Sequence, residues 1–463
     1  MSTQQFAPVA ALDHRGIRRP RRLTADAMLC VYVILLFAVP SNIGITGMGG
    51  LGRPSLLWGL ALLLWWVLSH LQARGADVIT PTQPVRWMLG LLVLVILASF
   101  AAAMLRGRPG DQVSPAISSL VRLASWGGVI LVAMDGIRTH NAAARVVRVL
   151  VVAVGCVSAL GVAQFLLGSS LLEWMGSLPG LSYDWGGIDS RGRFTRASGT
   201  ATHPLEFVSS IVTVLPIAIA AAISGGFRQQ PRRRGLWWLI VGLILFICLV
   251  SVSRSAIIGL VVALVLVLPW IPRAYRFASV AGGLCIAAAV VVVVPGMWTA
   301  TLALFVNASA DTSTQSRTGA LEKLPQFMES SPLIGQGWGT FLSRYYVFDN
   351  QWAATLVEIG LLGAFAFAAL IAVAVWSSLG ASRNSRSPET KVLGGAVSSG
   401  LITVTVLLFF FDGLSFPITA GVFVLLLGMA AALRRIALSD AGVRATIADV
   451  ERAPHSGREG RGR

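Results

Sequence analysis

Arg254 stands in the stretch SVSRSAIIGL, between two strongly apolar runs. A guanidinium inside a bilayer costs roughly 2.5–3.5 kcal/mol on insertion scales, so it faces a cavity or a partner. Its planar fork matches phosphate oxygens two at a time, and arginines converging on a cavity suit a phosphate or diphosphate ligand. Arg191, Arg193 and Arg196 crowd a second stretch, SYDWGGIDSRGRFTRASGTATHP. Alone, Arg254 is equally well explained by snorkelling to the interface or by pairing with an acid such as Glu358. Together with the other three, ligand binding is the stronger reading.

Three further positions have the chemistry to act beside such a ligand. His203 precedes Pro204 in THPLEF, where proline suits the first turn of a helix. A histidine at a helix end is more often a structural hydrogen-bonder than a catalyst. Glu206, one turn on, is an acid placed to neutralise an arginine. Asp349 opens DNQWAATLVEIGLLG. Its ordinary role there is an N-cap, which stabilises a first turn by about 1 kcal/mol. Its chemical role is a general base that takes the proton of an acceptor hydroxyl. Glu358 follows nine residues later, about two and a half turns into the same helix, where a carboxylate needs a partner.

The elements that must position these residues are membrane helices. The 463 residues are 55% hydrophobic and 12% charged, with mean hydropathy +0.74, too apolar for a soluble domain. The net charge of +17 does not indicate a nucleic-acid partner, because the basic residues sit in short segments between apolar runs, as topology-setting charge does. Cys30, Cys156, Cys248 and Cys285 each lie inside an apolar run, without metal-type spacing. The polar start of the chain lacks the pattern of a cleaved signal, so the first apolar run is expected to be a retained helix.

The fold class expected is an all-α integral membrane protein. About twelve spans are expected, near 27–45, 55–71, 85–104, 115–134, 147–168, 204–224, 235–250, 255–271, 277–299, 351–376, 392–411 and 417–434. With this count the basic clusters before span one, after span four and after span six fall on one side, which makes both termini cytoplasmic. Residues 1–26 form a basic cytoplasmic segment, 27–436 the transmembrane body and 437–463 a disordered cytoplasmic tail. Two long connections, 169–203 and 300–350, fall on the outer face, the second between spans nine and ten. A short amphipathic helix is expected over 317–328, ended by Ser-Ser-Pro, with Leu321, Leu324 and Phe327 resting on the membrane surface. Arg53, Arg106, Arg108, Lys323 and Arg344 add to a basic outer surface.

The run DNQWAATLVEIGLLG resembles the shared segment of the O-antigen ligase and polysaccharide polymerase superfamily, where a His-Asn or Asp-Asn pair precedes a helix carrying Glu-x-Gly-x-x-Gly. Those positions are Asp349, Asn350, Glu358, Gly360 and Gly363 here. RASGTATHPLEF, SVSRSAIIGL and SRTGALEKLPQFMESSPLIGQGWGTF are similar to the family pattern in the expected order.

The resemblance implies a membrane glycosyltransferase of C-type architecture that is metal-independent, inverting and without cofactor. It acts on the outer face of the plasma membrane on a glycan carried by polyprenyl diphosphate. Carried over by position, it assigns the diphosphate to Arg254, Arg317 and members of the Arg191, Arg193 and Arg196 group. The catalytic candidates are then Asp349, Arg254 and His203, with Glu206, Asn350 and Glu358 in support. Ligases of the superfamily resemble a pattern with histidine where this chain has Asp349, which leans toward polymerisation of repeat units. Leu205 also stands where asparagine is common. Implied partners are the lipid-linked donor, a glycan or lipid acceptor, membrane lipids and other envelope polysaccharide assembly proteins. Ligase-like transfer to another acceptor is the alternative, followed by a transporter or flippase. A transporter favours paired repeats around a midplane site, whereas polar residues here gather in the outer connections. A structural scaffold would not need outward arginines.

Overall fold

The computed structural model describes residues 23–72, 82–183, 189–191, 194–228, 234–306 and 312–452. The chain opens with α1 (Ala25–Ala38), α2 (Pro54–Gln72), α3 (Pro84–Leu105), α4 (Gly110–Gly136) and α5 (His140–Leu167). There follow α6 (Pro204–Ile223), α7 (Arg234–Val250), α8 (Arg254–Val267), α9 (Arg273–Val293), α10 (Met297–Val306) and α11 (Thr312–Met328). The last three are α12 (Gln351–Asn384), α13 (Pro388–Leu407) and α14 (Pro417–Arg452). Among the described residues, nine helices are long and apolar enough to cross a membrane, and α1, α7 and α8 are shorter apolar helices. Every expected span overlaps one of these twelve, and the chain is a multi-pass membrane protein.

Two expected spans are shorter than the apolar run suggested, and proline is the cause in both. The run near 27–45 yields a helix only to Ala38, because Pro40 holds Val39 extended at φ −96° and ψ 123°. The chain then forms β1 (Ile43–Ile45), antiparallel to β2 (Leu181–Tyr183) in the first long connection. Near 277–299, Pro295 holds Val294 extended, which ends α9 at Val293 and makes α10 a separate helix. A second small hairpin, β3 (Asp189–Arg191) with β4 (Phe194–Arg196), lies before α6.

The helix expected over 317–328 is present as α11 and begins five residues earlier, at Thr312. Its apolar face does not rest on the membrane surface as expected. Leu324 and Phe327 instead pack against Ala320, Phe348, Ala353 and Val357, with Phe341 and Tyr346, while Leu321 remains exposed. These aromatic and aliphatic groups offer α11 a protein surface at the first turns of α12.

The core sits around α6, α13 and α14, whose membrane-crossing stretches are buried on nearly every side. Small residues permit this closeness, since packing between membrane helices depends on backbone approach. A Cβ on Gly400 of α13 would stand 2.7 Å from the Thr213 carbonyl oxygen of α6, and one on Gly428 of α14 would stand 2.8 Å from that of Ile130 in α4.

The longest described helix apart from α14, α12, is interrupted near its start. Gly360 adopts φ 68° and ψ −168°, a conformation open essentially to glycine alone. Segment 331–337 enters the opening. Gln336 N–H donates to the Val357 carbonyl (2.8 Å) and Gly337 N–H to that of Glu358 (2.9 Å). In return, Leu361 N–H donates to Pro332 (2.9 Å) and Leu362 N–H to Leu333 (3.1 Å). Ser99 of α3 adds its hydroxyl to the Glu358 carbonyl (3.0 Å), and Arg106 holds the loop through Gly335 O (3.2 Å) and Ser331 Oγ (2.9 Å). The contact leaves no room for a side chain: a Cβ on Gly360 would lie 2.4 Å from the Leu333 backbone, and one on Gly335, at φ 72°, 2.4 Å from that of Glu358. Gly360→Ala is therefore expected to lose about 3 kcal/mol or more of stability, from backbone strain and overpacking together. Thermal unfolding of the purified variant in detergent measures this, and an unchanged midpoint would contradict the interlock.

Candidate active site

One end of the helical bundle collects His203, Glu206, Arg254, Asp349 and Asn350. Phe207, in the first turn of α6, and Ile247, in the last turn of α7, both pack against Gly161 of α5. The α7–α8 turn bearing Arg254 therefore lies at the same end as His203. The start of α12 joins them, because Gln351 N–H donates to Leu408 O (2.9 Å) and Gln351 Oε1 accepts from Leu414 N–H (2.8 Å).

Glu206 ties this end together. It is fully buried. Its Oε1 accepts from Ile418 N–H of α14 (2.7 Å), and its Oε2 accepts from the Ser41 hydroxyl (3.0 Å) and Thr202 N–H (2.9 Å). Three segments far apart in sequence are thus clamped to one carboxylate, and Arg53 lies within its electrostatic reach. Glu206 occupies a bracing position, with its oxygens already engaged.

Asp349 and Asn350 divide their duties differently from the expectation that Asp349 caps α12. The cap is Asn350, whose Oδ1 accepts from Trp352 N–H (2.9 Å) and Ala353 N–H (3.3 Å). Asp349 is turned to α11 instead, where its Oδ2 accepts from the Ser316 hydroxyl (3.0 Å). Ser316 is held in turn by Tyr346, whose hydroxyl donates to the Ser316 carbonyl (3.2 Å). Among the described residues, Ser316 is the hydrogen-bond donor to the Asp349 carboxylate.

His203 caps α6 with its ring: Nδ1 accepts from Leu205 N–H at 3.1 Å. An Nδ1 that accepts is unprotonated, so the neutral ring carries its proton on Nε2. Burial, followed by the Arg196 cation, lowers the imidazole pKa, with Asp189 and Asp349 opposing. His203 is therefore a neutral donor at pH 7, poorly arranged to be the base. Arg196 is buried and ion-paired with Asp189 across the β3–β4 hairpin at 2.7 Å.

Arg254 follows a strained turn. Val252 has φ 46°, an outlier for a β-branched residue, in a buried Ser251-Val252-Ser253 link between two short helices. With 17 residues in α7 and 14 in α8, these helices span about 26 and 21 Å, less than the roughly 30 Å hydrocarbon core. The turn, and Arg254 with it, lies below the membrane boundary if α7 starts and α8 ends at the opposite interface. Arg193 lies outside the described residues. Arg191 is placed on β3 and Arg317 on α11, and their side chains are outside those described. Arg317 adjoins Ser316, so its helix is the one that reaches Asp349.

Beside these residues is a cavity of about 280 Å³. Trp126, Trp338, Tyr346 and Phe348 supply rings; Arg122, Glu358 and Asp412 supply charge. Glu358 enters it two residues before the break in α12, and Gly339 N–H from the inserted loop faces its carboxylate. Arg122 of α4 stands within electrostatic reach of Glu358 and Arg53. Asp412, in the α13–α14 turn, is pushed up to about 6, chiefly by burial and further by the Asp349 charge, against a hydrogen bond from Ser415. Neither Arg122 nor Asp412 was found from sequence. The available signals were an arginine inside the apolar run near 115–134 and an acid between two spans in FFFDGLSF. Among the described residues, no three His, Cys, Asp or Glu side chains gather as metal ligands.

The O-antigen ligase family model matches residues 239–368. The matched segment runs from α7 into α12 and includes Arg254, Arg317, Asp349, Asn350 and Glu358, and it supports placement in the O-antigen ligase and polymerase superfamily. His203, Arg196, Arg122 and Asp412 lie outside it. No curated protein matches the chain.

Two stability measurements test this geometry. Asn350→Ala should cost about 1 kcal/mol through loss of the cap, whereas Asp349→Asn should leave the unfolding midpoint in place. An unfolded aspartate titrates near 4, so the folded chain holds an extra proton at Asp412 between about pH 4 and 6. Stability falls as pH rises through that window. Asp412→Asn should then exceed the wild type by roughly 3 kcal/mol above pH 7 and by nothing near pH 4. Parallel pH profiles for the two proteins would contradict the buried placement.

Proposed function

We propose that this chain, which carries an O-antigen ligase domain, moves an oligosaccharide from a polyprenyl-diphosphate carrier to a sugar hydroxyl on the outer face of the plasma membrane. α1 to α9 and α12 to α14 make twelve crossings in a C-type architecture, with both termini cytoplasmic. Support for this orientation comes from Arg145, Arg148 and Arg228, which lie at the end of the bundle away from the cavity.

The observation that carries the proposal is the Asp349 carboxylate, relieved of capping by Asn350, held by Ser316 and within electrostatic reach of Asp412 and His203. Asp349 takes the proton of the acceptor hydroxyl as its oxygen attacks the anomeric carbon opposite the diphosphate. The new C–O bond forms as the bond to the diphosphate oxygen breaks, which inverts the centre and releases polyprenyl diphosphate. Arg254, with Arg317 and the Arg191, Arg193 and Arg196 group, receives the growing negative charge. His203 donates from Nε2. Aromatic rings and the carboxylates of Glu358 and Asp412 give the cavity the mixed apolar and hydrogen-bonding lining that a sugar ring needs. Neither a metal nor a cofactor enters this scheme. Asp349, where superfamily ligases carry histidine, favours polymerisation of repeat units over transfer to another acceptor.

Arg254→Ala should abolish transfer without loss of folded protein, and Arg254→Lys should restore little, because an ammonium cannot make the bidentate contact. Normal turnover by both variants would make Arg254 a structural residue. Asp349→Asn should lower turnover by about 10²–10⁴-fold, measured as glycan product formed per folded protein. Unchanged turnover would remove Asp349 as the base.

A further inference from the structure

A groove of about 900 Å³ lies between α1, α5 and α7, distant from the cavity described above. Ile34, Phe37, Val152 and Trp237 are among its apolar walls, and Arg145, Arg148 and Arg228 stand at one end. That end is opposite the candidate active site. Arg145 and Arg148 are near the start of α5, whose last turns are tied by Gln164 to Gly199 (2.9 Å), just before His203. From Arg148 to Val157 the groove follows α5 for nine residues, about 14 Å at 1.5 Å per residue. That is the depth of one leaflet, half of a hydrocarbon core about 30 Å thick. Val152 and Cys156 are exposed along it, so the groove opens sideways to the bilayer.

The charge at its end is built rather than incidental. Arg145 is fixed by Asp26 at 2.6 Å, and Arg148 donates to the Gly226 carbonyl at 3.1 Å. Arg148 feels both Arg145 and Arg228 as like charges. No acid lines the groove among the described residues, so with Asp26 engaged the end keeps an excess of positive charge. Mutually repelling cations above an apolar slot of leaflet depth call for a ligand with one anionic head and a long hydrocarbon chain. Basic pockets between membrane helices take anionic lipid headgroups for this reason.

We propose that this groove binds an anionic phospholipid, with its phosphate among Arg145, Arg148 and Arg228 and an acyl chain along α5. The site is independent of the transferase proposal and would stand if that proposal fell.

The test uses the full chain in nanodiscs of equal parts phosphatidylglycerol and phosphatidylcholine, with retained lipids counted by native mass spectrometry. Phosphatidylglycerol should be enriched. Arg228→Ala, a change at an exposed residue, should reduce the enrichment by roughly fivefold without moving the unfolding midpoint. Ala153→Trp, which fills the slot, should remove the retained lipid. Equal retention of the two lipids, or full enrichment in Arg228→Ala, would overturn the site. In a third preparation that adds undecaprenyl phosphate, preferential retention of that lipid would overturn the phospholipid assignment in favour of a carrier lipid.

Discussion

A helix can be broken inside a membrane only where other protein meets its freed backbone groups, and that constraint organises the end of the bundle that holds the candidate site. α12 breaks at Gly360, and segment 331–337 supplies the missing partners on both sides of the break. Arg106 and Ser99 fasten the inserted loop and the broken helix to α3. The same loop carries Trp338 and Gly339 into the wall of the cavity, and the short first part of α12 carries Glu358 into it. One interlock therefore sets the positions of cavity groups drawn from two separate segments.

Four carboxylates gather at this end of the bundle, and their surroundings give them different work. Glu206 has its oxygens committed to two backbone N–H groups and a hydroxyl, which makes it a brace. Glu358 meets an arginine across the cavity and an N–H from the inserted loop. Asp412 is half-buried within electrostatic reach of Asp349 and titrates high. Asp349, among the described residues, accepts the hydroxyl of Ser316 on α11.

The membrane helices were legible in sequence because hydrophobic length is a local property, and each apolar run became a helix. The two runs that fell short contain a proline whose effect on the preceding residue is equally local. The site was only partly legible. Arg254, Asp349 and Glu358 stood out through charge in apolar context, and the Glu-x-Gly-x-x-Gly pattern pointed to the resemblance that residues 239–368 bear out. Arg122 and Asp412 are separated from Glu358 by hundreds and tens of residues respectively, and only the fold brings them to one cavity. The choice of Asn350 over Asp349 as cap depends on which side chain the loop turns inward, and both types are good caps. Leu324 and Phe327 found Phe348 rather than lipid because the loop after α11 folds back over them.

The central claim is glycan transfer with release of the lipid diphosphate. It is tested most directly with purified protein in nanodiscs, a pool of polyprenyl-diphosphate oligosaccharide, and simultaneous measurement of product size and released polyprenyl diphosphate. The expected result is a ladder of products at repeat-unit intervals, with one diphosphate released for each addition. Binding of the lipid-linked glycan without any release of diphosphate, under every acceptor supplied, would contradict it.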